Sequence, residues 1–174
     1  MKITVVGPGK TGKHLIAFAL ASPLRNTVTV LARSGISHPS LQLHKDNPYL
    51  KAVEGDVNQI EAIAAACKDS DAIIICVGHT YNDPGIPLVE TAVRNIIKVM
   101  KETGRKRLII VSEIAFEWDS VSKATTWSLR VFLNWLLDNM LLDHRRAEQL
   151  IVREKNWLNY TVCHIIRSSG FVVD

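Results

Sequence analysis

A chain of 174 residues, 47% hydrophobic and 22% charged, has the balance of one globular domain with a real core to bury. A net charge of +4 and a longest basic run of Arg105-Lys106-Arg107, read as a solvated corner before a strand, exclude a nucleic-acid surface. Cys67, Cys76 and Cys163 form no C-x-x-C, the six histidines show no H-x-x-x-H, and Arg130, Asn134 and Asp138 interrupt the greasiest later segment, so disulfides, a metal and a membrane span are excluded too.

Lys2 to Val6 is a short apolar run that stops at glycine, as a buried parallel strand does. Lys10 to Ala21 follows with helical spacing, its face made by Leu15, Ile16, Ala19 and Leu20, and Ser22-Pro23 ends it. Thr27 to Ala32 is a β-branched strand. Gly35, Pro39 and Pro48 mark Arg33 to Leu50 as an irregular loop before a brief strand at Lys51 to Glu54. Asn58 and Glu61 have capping-box spacing for a helix through Cys67. Ala72 to Val77 is the most apolar strand, with Cys76 a small core residue. Pro87 opens a helix to Glu102 that Gly104 caps. A strand at Arg107 to Ser112, a helical region from about Ala124 to Glu154 and a strand at Tyr160 to Ile165 complete the chain.

Strands that alternate with helices, nearly all of them continuously apolar, predict an α/β fold with a doubly wound parallel sheet, one Rossmann-like domain over residues 1–174. The natural strand order is 3-2-1-4-5-6. With no signal-peptide pattern at the start, a cytoplasmic protein is expected.

The first loop, GPGKTGKH, fits two phosphate-binding patterns. Gly7, Gly12 and Lys13 match a nucleoside-triphosphate loop, but His14 stands where a magnesium-binding hydroxyl is needed, and no strand ends in the supporting aspartate. Gly7, Gly9 and Gly12 complete G-x-G-x-x-G between the first strand and the first helix, where a dinucleotide fingerprint belongs. The end of the second strand then selects the cofactor. NAD-binding chains place an acid there; Leu31-Ala32-Arg33-Ser34 has none, and Arg33 offers a planar fork for a 2′-phosphate, with Lys10 adding charge nearby. NADP(H) is expected in preference to NAD(H).

These residues, with VTVLAR (28–33), EGDV (54–57), AIIICVG (72–78), ETAVRNIIKVMKETG (90–104), IIVSEIAFEWD (109–119) and DHRRAEQLI (143–151), resemble the NmrA-like, atypical short-chain dehydrogenases/reductases, nearest their biliverdin- and flavin-reductase branch. The resemblance implies pyrophosphate on Gly7, Gly9, Lys10, Thr11 and Gly12, and the 2′-phosphate on Arg33. Adenine would lie beside Asp56 and Val57. Gly78, His79 and Thr80 would run beneath the cofactor, and Ser112 would stand near nicotinamide and substrate. The glycine loop is one residue shorter than the family's usual G-A-T-G-x-x-G. No tyrosine has lysine four residues later, so the usual proton donor is missing. The last strand lacks the family's proline turn, and SSGFVVD reads as an alternative or truncated ending.

His144 is read as helping to cap a helix, with general acid as the alternative; Ser112 is read as a hydrogen-bonding residue because no base has an obvious spacing to it. Trp127, Val131, Trp135 and Leu142 make a second apolar helix face, for which core packing competes with a substrate, a partner chain or a further segment found in relatives, and a homodimer or poor solubility is expected. The function expected is an NADPH-dependent reductase of a small planar substrate, a flavin, quinone or tetrapyrrole. The alternative is a non-catalytic NADP-binding redox sensor.

Overall fold

A computed structural model describes residues 1–78, 87–113 and 142–165, with the Glu113 side chain excepted. Its elements are β1 (Lys2–Val6), α1 (Gly12–Ala21), β2 (Thr27–Ala32), β3 (Leu50–Glu54), α2 (Ile60–Cys67), β4 (Ala72–Ile75), α3 (Leu88–Thr103), β5 (Arg107–Glu113), α4 (142–153) and β6 (Asn159–Ile165). Two 3-10 turns, Gly35–Ser37 and Pro39–His44, occupy the expected irregular loop.

The six strands form one sheet in the order β3-β2-β1-β4-β5-β6, with every neighbouring pair parallel. This is the expected doubly wound, Rossmann-like arrangement. Adjacent residues of a strand face opposite sides, and β1, β2 and β3 feed a core on each face. Val6, Leu31, Ile73, Ile75, Leu108 and Ile110 pack under α2, α3 and α4, whereas Val5, Val28, Val30 and Ala32 pack with Ile16 and Leu41 on the α1 side. Completely buried Ile and Val side chains each contribute on the order of 1.5–3 kcal/mol, and Thr4, the buried polar residue of β1, donates its hydroxyl to the Ala66 carbonyl.

α3 shows how its segment becomes a helix. Val89, Val93, Ile96 and Met100 recur at helical spacing and are completely buried. Gly104, at φ 70°, takes the left-handed turn and donates its N–H to the Met100 carbonyl, ending the helix as predicted. Pro87 precedes the first residue of α3 rather than occupying it.

Two local expectations shift. α1 begins at Gly12, not Lys10. The expected Asn58–Glu61 capping box does not form: the N-cap of α2 is Gln59, without a side-chain cap, and in the turn before it Asp56 Oδ1 accepts from the Asn58 N–H at 3.0 Å and Gln59 Oε1 from the Asp56 N–H at 2.9 Å. The carboxylate and the amide oxygen close the turn that leads into the helix and do not cap the helix itself.

Candidate functional site

Parallel strands bring β-to-α loops to one edge of the sheet, and those expected site residues that are described, from Gly7 to Ser112, lie toward that edge. Gly7 leaves β1 at φ 89° and donates its N–H to the Leu31 carbonyl at 3.2 Å, tying the loop to β2. A Cβ on Gly12 would stand 2.2 Å from the Gly7 oxygen, so the loop closes on itself only because position 12 has no side chain. A Cβ on Gly9 would meet nothing within 4 Å. Close backbone approach from outside is therefore open at Gly9 and closed at Gly12.

Among the described residues, the N–H groups of Gly9, Lys10, Thr11 and Gly12 bond no other group. α1 has no acidic residue in its first turn and no side-chain cap. Its positive end, with exposed Lys10 and Thr11 beside it, is left facing outward as a cradle for an anion.

Arg33 follows β2 and is exposed, with no ion pair or hydrogen bond among the described residues. Ala32 pairs with Glu54, and its carbonyl accepts from Gly55 at 3.1 Å, which brings Asp56 to the same edge. The Asp56 carboxylate also accepts from the Asn58 side chain at 2.6 Å. The Val57 side chain packs in the core, and its carbonyl accepts from Asn95 Nδ2 at 2.8 Å. Gly78 is exposed just beyond β4; His79 and Thr80 lie outside the described residues, as do Trp127, Val131, Trp135 and the SSGFVVD tail.

Ser112, near the end of β5, is completely buried. Its Oγ donates to Glu148 Oε1 at 2.6 Å and lies 3.1 Å from His144 Nδ1. Glu148 Oε1 also bonds His164 Nε2 at 3.0 Å. The base that sequence spacing did not supply is thus brought in by α4. His144 lies on α4 and meets Ser112. Its neighbour Asp143 caps, and caps another helix: Oδ2 accepts from the Val89 N–H and Oδ1 from the Glu90 N–H, both at 2.8 Å, at the start of α3.

Glu148, His164 and the role of Asp143 were missed by sequence reasoning. One signal was present: His144 and Glu148 are four residues apart, on one helical face. His164 gave none, because it reaches the cluster through the β5–β6 register that sets it opposite Ser112.

Burial alone pushes the Cys67 thiol up to about 12. Burial, then the nearby Cys163, pushes Cys76 up to about 11. Both are inert packing residues at neutral pH. A cavity of about 550 Å³ opens at the opposite, amino end of the sheet beside Lys2, Lys51 and Lys68 and contains none of the expected site residues. Among the described residues, no helix is long and apolar enough to cross a membrane, and no group of acidic, histidine or cysteine side chains has the makings of a metal site.

The fold and this edge define a nucleotide-binding α/β domain, and comparison with known proteins gives the class: the chain belongs to the NAD(P)H-binding family, matched over residues 7–169. It is 24% identical to the oxidoreductase aflX of Aspergillus parasiticus, across 95% of this chain and 63% of that protein. Among solved structures it is similar to a short-chain dehydrogenase/reductase from Veillonella parvula in complex with NADP (20% identity, TM-score 0.65, 92% of this chain and 67% of that one). It is also similar to ChuY, an anaerobillin reductase of Escherichia coli (17% identity, TM-score 0.66, 93% and 71%). The chain spans 44–63% of the length of the curated oxidoreductases it matches.

Proposed function

We propose that this chain is an NADPH-dependent reductase of small planar substrates, of flavin, quinone or tetrapyrrole type, within the NmrA-like short-chain dehydrogenases/reductases. The observation that carries this reading is the Arg33 guanidinium just past β2, without a partner among the described residues, beside a glycine loop whose N–H groups bond no other described group. A pyrophosphate suits the N–H groups, and a 2′-phosphate suits the guanidinium fork. The Veillonella relative in complex with NADP and the anaerobillin reductase ChuY support the cofactor and the tetrapyrrole member of the substrate class. A bound reduced nicotinamide supplies hydride to a ring stacked on it. Gly78 and His79 would lie beneath the cofactor, while Ser112 and Thr80 orient the substrate.

The sensor reading draws on a specific observation as well: Ser112 is wholly enclosed, and no Tyr-x-x-x-Lys is present. Fluorescence titration with NADPH and NADH, followed by multiple-turnover NADPH oxidation with FMN or a quinone, separates the readings. NADPH preference with turnover is expected. Tight NADPH binding without turnover supports the sensor, and equal or absent affinity for the two cofactors overturns the cofactor assignment.

A further inference from the structure

Along β1, β2 and β3 the sheet face under α2 changes character. Strand register sets Val6, Leu31 and Val53 in one row across these strands, and all three pack in the core. Two residues earlier the row is Thr4, Thr29 and Lys51, and before it come Lys2 and Thr27. Thr4 is buried, and its hydroxyl donates to the Ala66 carbonyl of α2 at 2.7 Å. Lys2, Thr27, Thr29 and Lys51 line the cavity of about 550 Å³ at the amino end of the sheet, together with Lys68 and Asp69, which follow α2.

Exposed lysines by themselves mark nothing more than a solvated face. Here they belong to a concave volume within the range of roughly 300–1,000 Å³ typical of small-molecule sites. The charge is one-sided, three lysines against Asp69, and none of the three ammonium groups has a hydrogen bond or ion pair among the described residues. The half-buried hydroxyls of Thr27 and Thr29 have none either. The carbonyls at the end of α2, which would repel an anion, are already engaged: Ala66 by Thr4, Cys67 by the Ser70 N–H at 3.1 Å, and Lys68 by Arg105 Nη2 at 2.8 Å. The Asp71 carboxylate is engaged as well, accepting from the Lys2 N–H at 2.7 Å. Val53 and Ala65 add apolar lining.

We propose that this cavity is a second ligand site, for a small organic phosphate. The lysine ammonium groups are compact charges that suit phosphate, the threonine hydroxyls donate to its oxygens, and Val53 and Ala65 receive the apolar body that carries it. The site lies at the other end of the strands from the glycine loop, so it does not depend on the dinucleotide reading.

The test follows backbone amides of the whole chain by ¹H–¹⁵N NMR during titration with phenyl phosphate, with phenol and sodium chloride as comparison probes. Saturable shifts are expected at Thr27, Thr29 and Lys51 with phenyl phosphate and not with phenol. The double variant Lys51→Gln, Lys68→Gln should weaken this binding about tenfold or more, as the loss of charge-assisted contacts implies. Lys45→Gln, Lys98→Gln removes the same charge from other exposed positions and should bind as the wild type does. No saturable shift at the three amides, the same shifts with sodium chloride at equal ionic strength, or shifts confined to Gly9 to Gly12 overturn the site. An unchanged affinity in the Lys51→Gln, Lys68→Gln chain, or an equal loss in both double variants, overturns it too.

Discussion

At the β1–β3 half of the carboxyl edge, the geometry belongs to the backbone: a left-handed Gly7, a carbonyl that fills the space above Gly12, and a row of N–H groups without partners among the described residues. At the β5–β6 half, it belongs to side chains 16 to 36 residues apart that meet around Ser112 and Glu148. The first half is specified within six consecutive residues and needs almost nothing else. The second exists only once α4 has docked and β6 has found its register. A backbone site tolerates changes of side chain but not of glycine; a side-chain network tolerates neither the loss of a member nor a slip of its elements.

The strongest way to test the first half is Gly12→Ala. Its Cβ would lie 2.2 Å from a backbone oxygen that cannot rotate away. Overpacking of this kind costs about 3 kcal/mol or more, and denaturant melts should show it together with loss of NADPH binding. Gly9→Ala is the control, because its Cβ meets nothing within 4 Å. It should leave the melt unchanged and weaken NADPH alone. Equal destabilisation by both substitutions would break the contrast.

The second half is tested by Asp143→Ala. Asp143 is 4% exposed and accepts two N–H groups at the start of α3, more than fifty positions away. Removing it strands those donors and one cap, a loss of about 2–3 kcal/mol. Asp143→Asn keeps one acceptor and should lose roughly half as much. Urea unfolding monitored by circular dichroism measures both; a loss below about 0.5 kcal/mol for the alanine variant would show that α3 is held by its apolar face alone.

The same contrast explains what sequence reading reached. The strands and the glycine loop were legible because apolar runs and G-x-G-x-x-G are local signals, whereas strand order came from the usual doubly wound arrangement and not from periodicity. The expected Asn58–Glu61 box gives way to a turn closed between Asp56 and Gln59, ahead of a helix that begins at Ile60, and only the packed turn decides between them. Asp143 was hidden for a different reason. Capping is sought next to the helix being capped, and this cap comes from another helix. His164 was hidden by sheet register, which no single strand encodes.

Arg33→Ala probes the cofactor choice with a smaller effect. The side chain is exposed and has no partner among the described residues, so stability should not change. A charge-assisted hydrogen bond to phosphate contributes about 1.5–3 kcal/mol, and at an exposed position the lower end applies. NADPH affinity should fall about tenfold with NADH affinity unchanged. A parallel loss for both cofactors would move Arg33 from the 2′-phosphate to the pyrophosphate.

The smallest effect concerns the thiols, which fall on both sides of the comparison. Cys76 lies under the glycine loop, its Cβ 3.4 Å from the position a Gly12 Cβ would take, and Cys163 is exposed on β6. Burial holds Cys67 and Cys76 neutral, at about 12 and about 11 against an ordinary value of 9.0. Folded-state values above the unfolded ones mean that the stability from neutral thiols is complete below pH 9. It is lost as pH rises toward the folded values, because the unfolded chain releases those protons first. Between pH 8 and 9 the loss should be under about 1 kcal/mol. Reactivity is the sharper readout, since the thiolate is the nucleophile. At pH 8 iodoacetamide should label Cys163 first, and mass spectrometry should find Cys67 and Cys76 modified only after unfolding. Labelling of Cys76 in the folded chain at the Cys163 rate would mean that the loop above it opens, and that the backbone half of the edge is less fixed than the side-chain half.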